Sequence, residues 1–315
     1  MTKSKRWYLG SVLTVMLGIH GRAQSGFMSE YYPALLRSEA YGTGLYNLRV
    51  YGPNDQEASI NVRAELTATV FASDGTSVYG FRRRGPDGNC LLKVEFSPVR
   101  VTPIVCRSSL DAVFSMTAIG AKPTKFLISG AVRTDAGMRC GIFEVDLIQS
   151  STREIVHIST CQSGSDTLKS WYSLSASPSG KKAVAIRRDE LELIDLDQGI
   201  ATPIGKHFLK ASWSPDGRWI AALQAKGGTA LIDVNSLQTR RKLVESEVEW
   251  SPDSRYLLRI KSCSHPVASN GVGTAQALDI RTGEILTVGS SQCKIDFANV
   301  GWISHRAVPA DTFRP

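Results

Sequence analysis

The sequence lacks every short motif that identifies a common catalytic or metal site. It contains no His-Glu-x-x-His zinc motif, no Gly-x-Ser-x-Gly nucleophile elbow, no glycine-rich phosphate loop and no Cys-x-x-Cys pair. Only five of the 315 residues are histidine, and no two of them lie at the spacing of metal ligands. We therefore expect no metal and no cofactor, and an enzyme is disfavoured.

The chain also lacks an apolar run long enough to cross a membrane. Residues 7–19 form a mostly apolar stretch, but a helix that spans a bilayer core needs about 20 residues. A basic segment precedes this stretch, and Gly21-Arg22-Ala23 follows it with small residues at the two positions that determine cleavage. We predict a signal peptide over residues 1–23 and a mature secreted or periplasmic protein over 24–315. An uncleaved membrane anchor is the alternative.

The chain beyond residue 23 has little excess charge of either sign. The whole chain has a net charge of +8, and residues 1–23 hold four basic residues and no acidic one, which leaves about +4. Such weak basicity gives no reason to expect a nucleic-acid partner.

What the sequence does contain is a turn motif that returns three times at intervals of 37 residues. Each copy precedes a short apolar run, and the copies are Ala176-Ser177-Pro178-Ser179-Gly180, Trp213-Ser214-Pro215-Asp216-Gly217 and Trp250-Ser251-Pro252-Asp253-Ser254. An apolar-Asp-apolar signature recurs between them, centred on Asp146, Asp195, Asp233 and Asp279. A turn followed by a strand at a fixed period indicates stacked β units. Four antiparallel strands per unit, repeated radially, are typical of a β-propeller.

Five complete units can be counted, at residues 66–106, 113–161, 172–205, 209–244 and 247–293. Residues 44–62 resemble a third and a fourth strand without a first and second, and residues 299–304 resemble a first strand. Joining the two ends into one composite blade closes the ring and leaves only short sheet edges. We predict an all-β fold, a single-domain propeller with six four-stranded antiparallel blades; seven blades are the alternative.

The turn resembles that of TolB-like propellers, a family of mostly bacterial, secreted proteins whose blades carry Trp-Ser-Pro-Asp-Gly. Residues 213–217 match in full and 250–253 nearly so, whereas Ala176 and Ser179 replace the Trp and Asp of the third unit. Residues 71–75 are a degenerate copy, and the second unit has none. The resemblance implies a propeller fold. It implies no partner, because the matching residues form turns.

All six cysteines lie beyond residue 23, an even number that fits an oxidising compartment. Three sequential pairs bracket hairpins of third and fourth strands: Cys90 with Cys106, Cys140 with Cys161, and Cys263 with Cys293. Because the ends of an antiparallel hairpin meet, each pair is predicted to form a disulfide. A metal site at Cys263, His265 and Cys293 is a weaker alternative. A calcium loop at residues 195–199 is less favoured than a hairpin turn.

Basic residues concentrate in two kinds of connection that leave a propeller on the same face. Connections from second to third strands hold Arg82, Arg83, Arg84, Arg133, Arg187, Arg188, Lys226 and Lys261; connections from one blade to the next hold Arg107, Lys169, Lys206, His207 and Lys210. Our hypothesis is a basic rim around one channel mouth, which would suit an acidic or anionic partner. Glu245, Glu247 and Glu249 interrupt it, and ordinary solvated loops are the alternative.

Four tryptophans lie in or near the predicted innermost strands of the blades. Trp213 and Trp250 share one repeat position and are expected to fill space between blades. Trp171 and Trp302 lie near the starts of innermost strands, and for these two the alternative is that the side chain reaches the central channel. Trp171 is included among the residues of the basic rim.

Two function classes remain. The first is a non-enzymatic binding or scaffold propeller, a monomer whose loops contact a protein or an anionic envelope polymer. The second is a propeller-type glycan hydrolase or lyase, which needs two carboxylates about 5 to 10 Å apart at the channel mouth. Asp166, Glu190 and Glu247 are scattered candidates for those carboxylates. The sequence favours binding.

Overall fold

The computed structural model describes residues 31–308 except 39–44, 52–56, 64–65, 86–87, 108, 121–122, 161–170, 245–247, 262–271 and 293–298. Within this part of the chain there are 24 β-strands, which form six four-stranded antiparallel sheets. No helix of the described residues is long and apolar enough to span a bilayer. The predicted signal peptide lies outside them.

The six sheets are the blades of a propeller. Blade 1 contains β4 (Thr67–Phe71), β5 (Ser77–Gly85), β6 (Gly88–Phe96) and β7 (Val99–Cys106). Blade 2 contains β8 (Leu110–Ile119), β9 (Lys125–Thr134), β10 (Gly137–Asp146) and β11 (Ser151–Thr160). Blade 3 contains β12 (Trp171–Ala176), β13 (Lys182–Arg187), β14 (Glu190–Asp195) and β15 (Ile200–Lys206). These bounds agree with the predicted units to within a few residues.

The remaining strands complete the ring. Blade 4 contains β16 (Phe208–Trp213), β17 (Trp219–Gln224), β18 (Thr229–Asp233) and β19 (Thr239–Leu243). Blade 5 contains β20 (Glu249–Trp250), β21 (Tyr256–Lys261), β22 (Val272–Asp279) and β23 (Ile285–Gln292). The closing blade contains β24 (Asn299–Ser304), β1 (Tyr31–Ser38), β2 (Leu45–Tyr51) and β3 (Glu57–Arg63), in that order from the centre outwards.

The closing blade confirms the prediction of a sixth blade built from both ends of the chain, with one correction. Its second strand, β1, was not predicted from the sequence pattern; it pairs antiparallel with β24 and places Pro33 opposite Trp302. A proline inside a strand cannot donate a ladder hydrogen bond, so the pattern around Pro33 did not predict a strand. Closure also needs a glycine in β24, since a Cβ on Gly301 would clash with the Phe71 ring of blade 1.

Apolar residues on both faces of each sheet build cores between neighbouring blades. Between blades 3 and 4, for example, Val184 and Ile186 pack in one buried cluster with Trp213, Ile220 and Ile232. This packing of sheet face against sheet face explains why the second and third strands of a blade are apolar at most positions. Trp213 and Trp250 are each 7% exposed, in agreement with the expectation that they fill space between blades.

The repeated turn is held together by its serine. Ser214 is fully buried; its Oγ donates to Asp216 Oδ1 at 2.6 Å and accepts from the Trp219 backbone N–H at 2.9 Å. Gly217 has φ +76° and donates its N–H to the Ser214 carbonyl. Proline, aspartate and glycine are thus turn residues, each with a conformational or hydrogen-bonding reason to be there.

The apolar-Asp-apolar signature has a similar explanation. Asp233 ends β18, and its Oδ1 accepts from the backbone N–H groups of Asn235 at 3.1 Å and Ser236 at 2.9 Å. The hydrogen bonds from the Ser236 N–H and hydroxyl, with a smaller contribution from the Asn235 N–H, lower the pKa of Asp233 below its usual value. Asp195 accepts from Asp197 and Gln198 in the same way, so residues 195–199 form a hairpin turn.

Disulfide bonds fit the hairpin geometry where the structure describes them. Cys90 and Cys106 lie opposite each other on β6 and β7 and are joined, with a Cα–Cα distance of 4.0 Å. Cys140 is also disulfide-bonded. Its predicted partner Cys161, and the predicted pair Cys263 and Cys293, lie outside the described residues.

Candidate functional site

The innermost strands of all six blades line a central channel. Its cavity has a volume of about 360 Å³ and is bordered by residues of β4, β8, β12, β16, β20 and β24. The first strand of a blade has a neighbour within its own sheet on one side only, so its other backbone edge faces the channel. A channel in a rigid ring is the usual position for a ligand site in such folds.

Hydroxyl groups satisfy much of that open backbone edge. Ser173 Oγ in blade 3 both donates to the carbonyl and accepts from the N–H of Ala211 in blade 4, at 3.1 Å each. Ser175 Oγ accepts from Trp213 N–H at 2.9 Å, and the Ser212 hydroxyl donates to a carbonyl of the next blade in turn. These channel-lining serines therefore join neighbouring blades, and their hydrogen-bonding capacity is largely used.

Indole groups take part in the same links between inner strands. Trp250 Nε1 donates to the Ser212 carbonyl, and Trp302 Nε1 donates to the Glu249 carbonyl, both at 3.3 Å. Trp302 is 3% exposed and borders the channel, so it is the closing blade's counterpart of the repeat tryptophan. The side chain of Trp171 lies outside the described residues.

The part of the channel lining that the structure describes contains one ion pair. Lys210 Nζ lies 3.1 Å from Glu249 Oε1, and each side chain is about one-third exposed, at 33% and 34%. Two large apolar side chains also border the channel and remain accessible, Phe114 at 37% and Leu209 at 55%. The channel mouth therefore combines an apolar surface with a neutralised pair of charges.

Phe114 and Leu209 were not found by sequence reasoning, although a repeat signal existed. Ala118 in blade 2 occupies the position of Trp213 in blade 4, because each pairs with the corresponding residue of its second strand, Phe126 and Ile220 respectively. Leu209 lies four residues before Trp213, and Phe114 lies four residues before Ala118. The two therefore share one repeat position. That position is recognisable only after blade 2, which has no copy of the turn motif, has been aligned through its strand pairing.

The predicted basic residues that the structure describes lie in the connections that the strand order assigns to one face. Connections from second to third strands and from one blade to the next leave the ring on one face, which we call the rim face; the opposite face, which carries the Ser-Pro and Asp turns, is the turn face. The described side chains of the predicted rim are those of Arg82, Arg107, Arg133, Arg187, Arg188, Lys206, His207, Lys210 and Lys226. Those of Arg83, Arg84, Lys169 and Lys261 lie outside the described residues.

Many of these rim residues have a carboxylate beside them. Arg133 lies 3.7 Å from Asp111, Lys206 lies 3.8 Å from Glu190, and His207 Nδ1 lies 3.0 Å from Asp189. These contacts are exposed and each contributes little to stability. Their main effect is to make the rim a mixed-charge surface, which the sequence could not show because the partners come from different connections.

Arg187 has a different environment from the other rim residues. Its Nε donates to Glu192 Oε1 at 2.8 Å, and Glu192 is 1% exposed on the central strand β14. A buried carboxylate is costly unless it is paired, so this guanidinium is needed by the fold of blade 3. Arg187 is therefore a poor candidate for contact with a partner. Arg82 likewise lies against its own sheet, with Nη2 3.8 Å from Cys90 Sγ.

Arg188 and Lys226 are exposed and have no carboxylate within 4.0 Å among the described residues. The backbone links them to one another through the start of blade 4. Phe208 N–H donates to the Asp189 carbonyl at 2.9 Å, and Ala225 N–H donates to the His207 carbonyl at 2.8 Å. The backbone of the two turns that carry these cations is thus held on either side of residues 207–209 at the channel mouth.

The described residues offer no obvious metal site. No group of three or more His, Cys, Asp or Glu side chains in this part of the chain lies close enough together to hold an ion. Of the scattered acidic candidates, Glu190 pairs with Lys206, and Asp166 and Glu247 lie outside the described residues. Within the described channel lining the only carboxylate is Glu249.

Comparisons with known proteins identify the fold. No protein-family model and no curated protein matches the sequence. Among solved structures, TolB from Acinetobacter baumannii is 14% identical with a TM-score of 0.62, and the match covers 90% of this chain and 69% of that one.

Two further solved structures match over 84% of this chain. A TolB of Agrobacterium tumefaciens is 14% identical with a TM-score of 0.50 and is covered over 90% of its length. An oligogalacturonate lyase from Vibrio parahaemolyticus is 12% identical with a TM-score of 0.51 and is covered over 81%. At such identities the likeness shows a shared propeller architecture and leaves function to the site itself.

Proposed function

We propose that this protein is a non-enzymatic binding propeller of the bacterial periplasm or exterior, whose mature part is one domain and whose rim face contacts an acidic or anionic partner. The observation that carries the proposal is the surface at the start of blade 4. Arg188 and Lys226 flank the accessible Leu209 there, and neither cation is neutralised by a described carboxylate. An apolar centre with a charged border is the usual anatomy of a protein-binding surface.

The backbone supports this surface as one unit. The turn of Arg188 is hydrogen-bonded to Phe208, and the turn of Lys226 is hydrogen-bonded to His207. Side chains presented from a rigid scaffold lose little conformational freedom when a partner binds, which favours affinity. The partner's acidic groups would then meet Arg188 and Lys226 while an apolar group covers Leu209 and Phe114.

We expect binding of the partner to depend on charge and salt, and Arg188 and Lys226 are the residues responsible. Exposed charge contacts are screened within about 10 Å at 0.1 M salt, so they mainly guide association and choose the partner. Three other rim cations are held by Asp111, Glu190 and Glu249, and His207 contacts Asp189. The described part of the rim is therefore only weakly basic, and selectivity for an acidic partner would come there from Arg188 and Lys226.

The alternative is a propeller-type glycan hydrolase or lyase. That chemistry needs a pair of carboxylates on either side of the scissile bond. The one carboxylate of the described channel lining is held by Lys210 at 3.1 Å, and the channel serines are occupied with backbone contacts. The geometry supports binding better than turnover.

Capture from an envelope and secretome extract tests the proposal. The wild-type protein and an Arg188→Glu/Lys226→Glu variant are immobilised and washed at low and at high salt. Arg218→Glu/Lys181→Glu is the matched control, since both of its residues are exposed on the turn face. We expect a partner that the wild type and the control retain at low salt and that the rim variant does not.

Retention of the same partner by the rim variant would refute the proposed surface. Loss from the control as well would show that only overall charge matters. Release of sugar fragments from envelope polymer by the purified protein would favour the enzyme.

A further inference from the structure

The outer strands of the blades differ in a way that the propeller fold does not require. In five blades the pairing of the third and fourth strands is interrupted by a register shift, and the extra residue lies on the outer strand: Ile104 in β7, Ile155 and Ile158 in β11, Ile204 in β15, Arg240 in β19 and Val288 in β23. A bulge of this kind bends the strand and breaks the regular row of outward backbone groups. It is a common protection against edge-to-edge pairing.

The closing blade lacks this protection. Its outer strand β3 pairs with β2 in seven consecutive pairs without a shift, from Leu45 opposite Arg63 to Tyr51 opposite Glu57. It contains no proline, whereas β7 and β15 carry Pro103 and Pro203. Ile60 and Val62 are buried in the core between the closing blade and blade 1, which fixes the register of β3. No described strand pairs with its other edge.

The sequence of β3 is complementary to itself when reversed. It begins with the acidic Glu57, ends with the basic Arg63 and has Ile60 at its centre. We propose that β3 pairs antiparallel with β3 of a second copy of this chain, about a twofold axis at Ile60. This register sets Glu57 of each copy opposite Arg63 of the other, and opposite charges directly across an antiparallel pair are favourable.

The proposal replaces the expectation of a monomer with a closed dimer. Because the other outer strands are bulged, each chain has one edge of this kind among the described strands, and a twofold interface formed by one patch cannot extend into a fibre. A single added strand pair buries little surface, so the dimer should be weak and depend on concentration. The proposal does not depend on the function assigned to the rim face, which is formed by other residues.

Sedimentation velocity of the mature chain with its disulfides intact tests the proposal, over about 1 to 300 μM because small interfaces dissociate in that range. The wild type is expected to shift from monomer to dimer. Glu57→Arg alone, or Arg63→Glu alone, sets like charges opposite each other twice and should weaken the dimer by about tenfold or more.

Two controls separate pairing from loss of structure. The double variant Glu57→Arg/Arg63→Glu restores opposite charges and should dimerise like the wild type. An equimolar mixture of the two single variants should form a mixed dimer, since both ends of β3 are then basic in one chain and acidic in the other. Unchanged circular dichroism is required before a variant is counted.

A wild type that stays monomeric throughout this range overturns the proposal. So does a pair of single variants that dimerise as the wild type does, because another surface would then be responsible. If both singles are monomeric and their mixture does not associate, the proposed register is also wrong.

Discussion

Removing the serine hydroxyl of the repeated turn is expected to cost stability in proportion to the hydrogen bonds it makes. Ser214 Oγ is fully buried and bonds Asp216 at 2.6 Å and the Trp219 N–H at 2.9 Å. One of these bonds involves a charged group, so Ser214→Ala should destabilise the protein by about 2 to 3 kcal/mol. Ser177, in the copy without aspartate, bonds Ser179 and the Lys182 N–H at 3.1 Å each. Both partners are neutral, and Ser177→Ala should cost about 1 kcal/mol.

Urea unfolding followed by tryptophan fluorescence measures these differences, provided that the slope of the transition is the same for all variants. Ser236→Ala is the matched control, because Ser236 also donates a hydroxyl to an aspartate, Asp233, but is exposed. It should cost about 0.5 kcal/mol or less. If Ser177→Ala costs as much as Ser214→Ala, or if both match the control, the hydroxyl is not what holds the turn.

Three further predictions concern a disulfide, a turn and a pH dependence. Replacing Cys90 and Cys106 by serine opens a loop of sequence separation 16 and should lower stability by about 3 kcal/mol in the chain-entropy model; urea unfolding of this variant beside the wild type, both with their other disulfides intact, measures the difference. Arg188 and Asp189 have φ +61° and +101°, so Arg188→Asn/Asp189→Gly should raise stability by about 1 kcal/mol in a thermal melt, because these residue types tolerate positive φ. The pKa of Asp233 is lowered in the folded state. The ionised carboxylate therefore stabilises the folded protein fully above the unfolded pKa of about 4, and this contribution is lost as the pH falls below that value. The stability difference between wild type and Asp233→Asn should shrink between about pH 5 and 3.

Each of these predictions has an outcome that contradicts it. Equal stability of the wild type and the Cys90→Ser/Cys106→Ser variant would show that the Cys90–Cys106 bond constrains little. A lower melting temperature for the turn variant would mean that the Asp189 contact with His207 outweighs the backbone strain. A difference between wild type and Asp233→Asn that stays constant on acidification would mean that the turn hydrogen bonds do not depend on the carboxylate's charge.

The repeating parts of the fold could be predicted because each one has a local chemical signature. Ser214, Asp216 and Gly217 form a turn from residues within a few positions of one another, and Asp233 ends its strand in the same local manner. The fixed spacing then placed the three C-terminal units of the five, and the recurring strand signatures placed the two units before them. Strand β1 was missed because Pro33 removes the local signal, and its place depends on the distant β24.

The candidate site was harder to predict because its properties arise between blades. The concentration of cations on one face followed from strand order alone. Which of them are neutralised did not, because Arg133 meets Asp111 from another connection and Arg187 turns onto the buried Glu192. The accessible Leu209 also belongs to the tertiary structure, since the sequence pattern alone does not distinguish an exposed apolar residue from a core one.

The measurement that tests the central claim most directly is hydrogen exchange of the wild-type protein alone and with its captured partner. If the rim face is the binding surface, backbone amides of residues 187–190, 206–210 and 224–229 should exchange more slowly in the complex, and the turn face should be unchanged. Protection confined to the Ser-Pro and Asp turns, with no change at those three segments, would contradict the account.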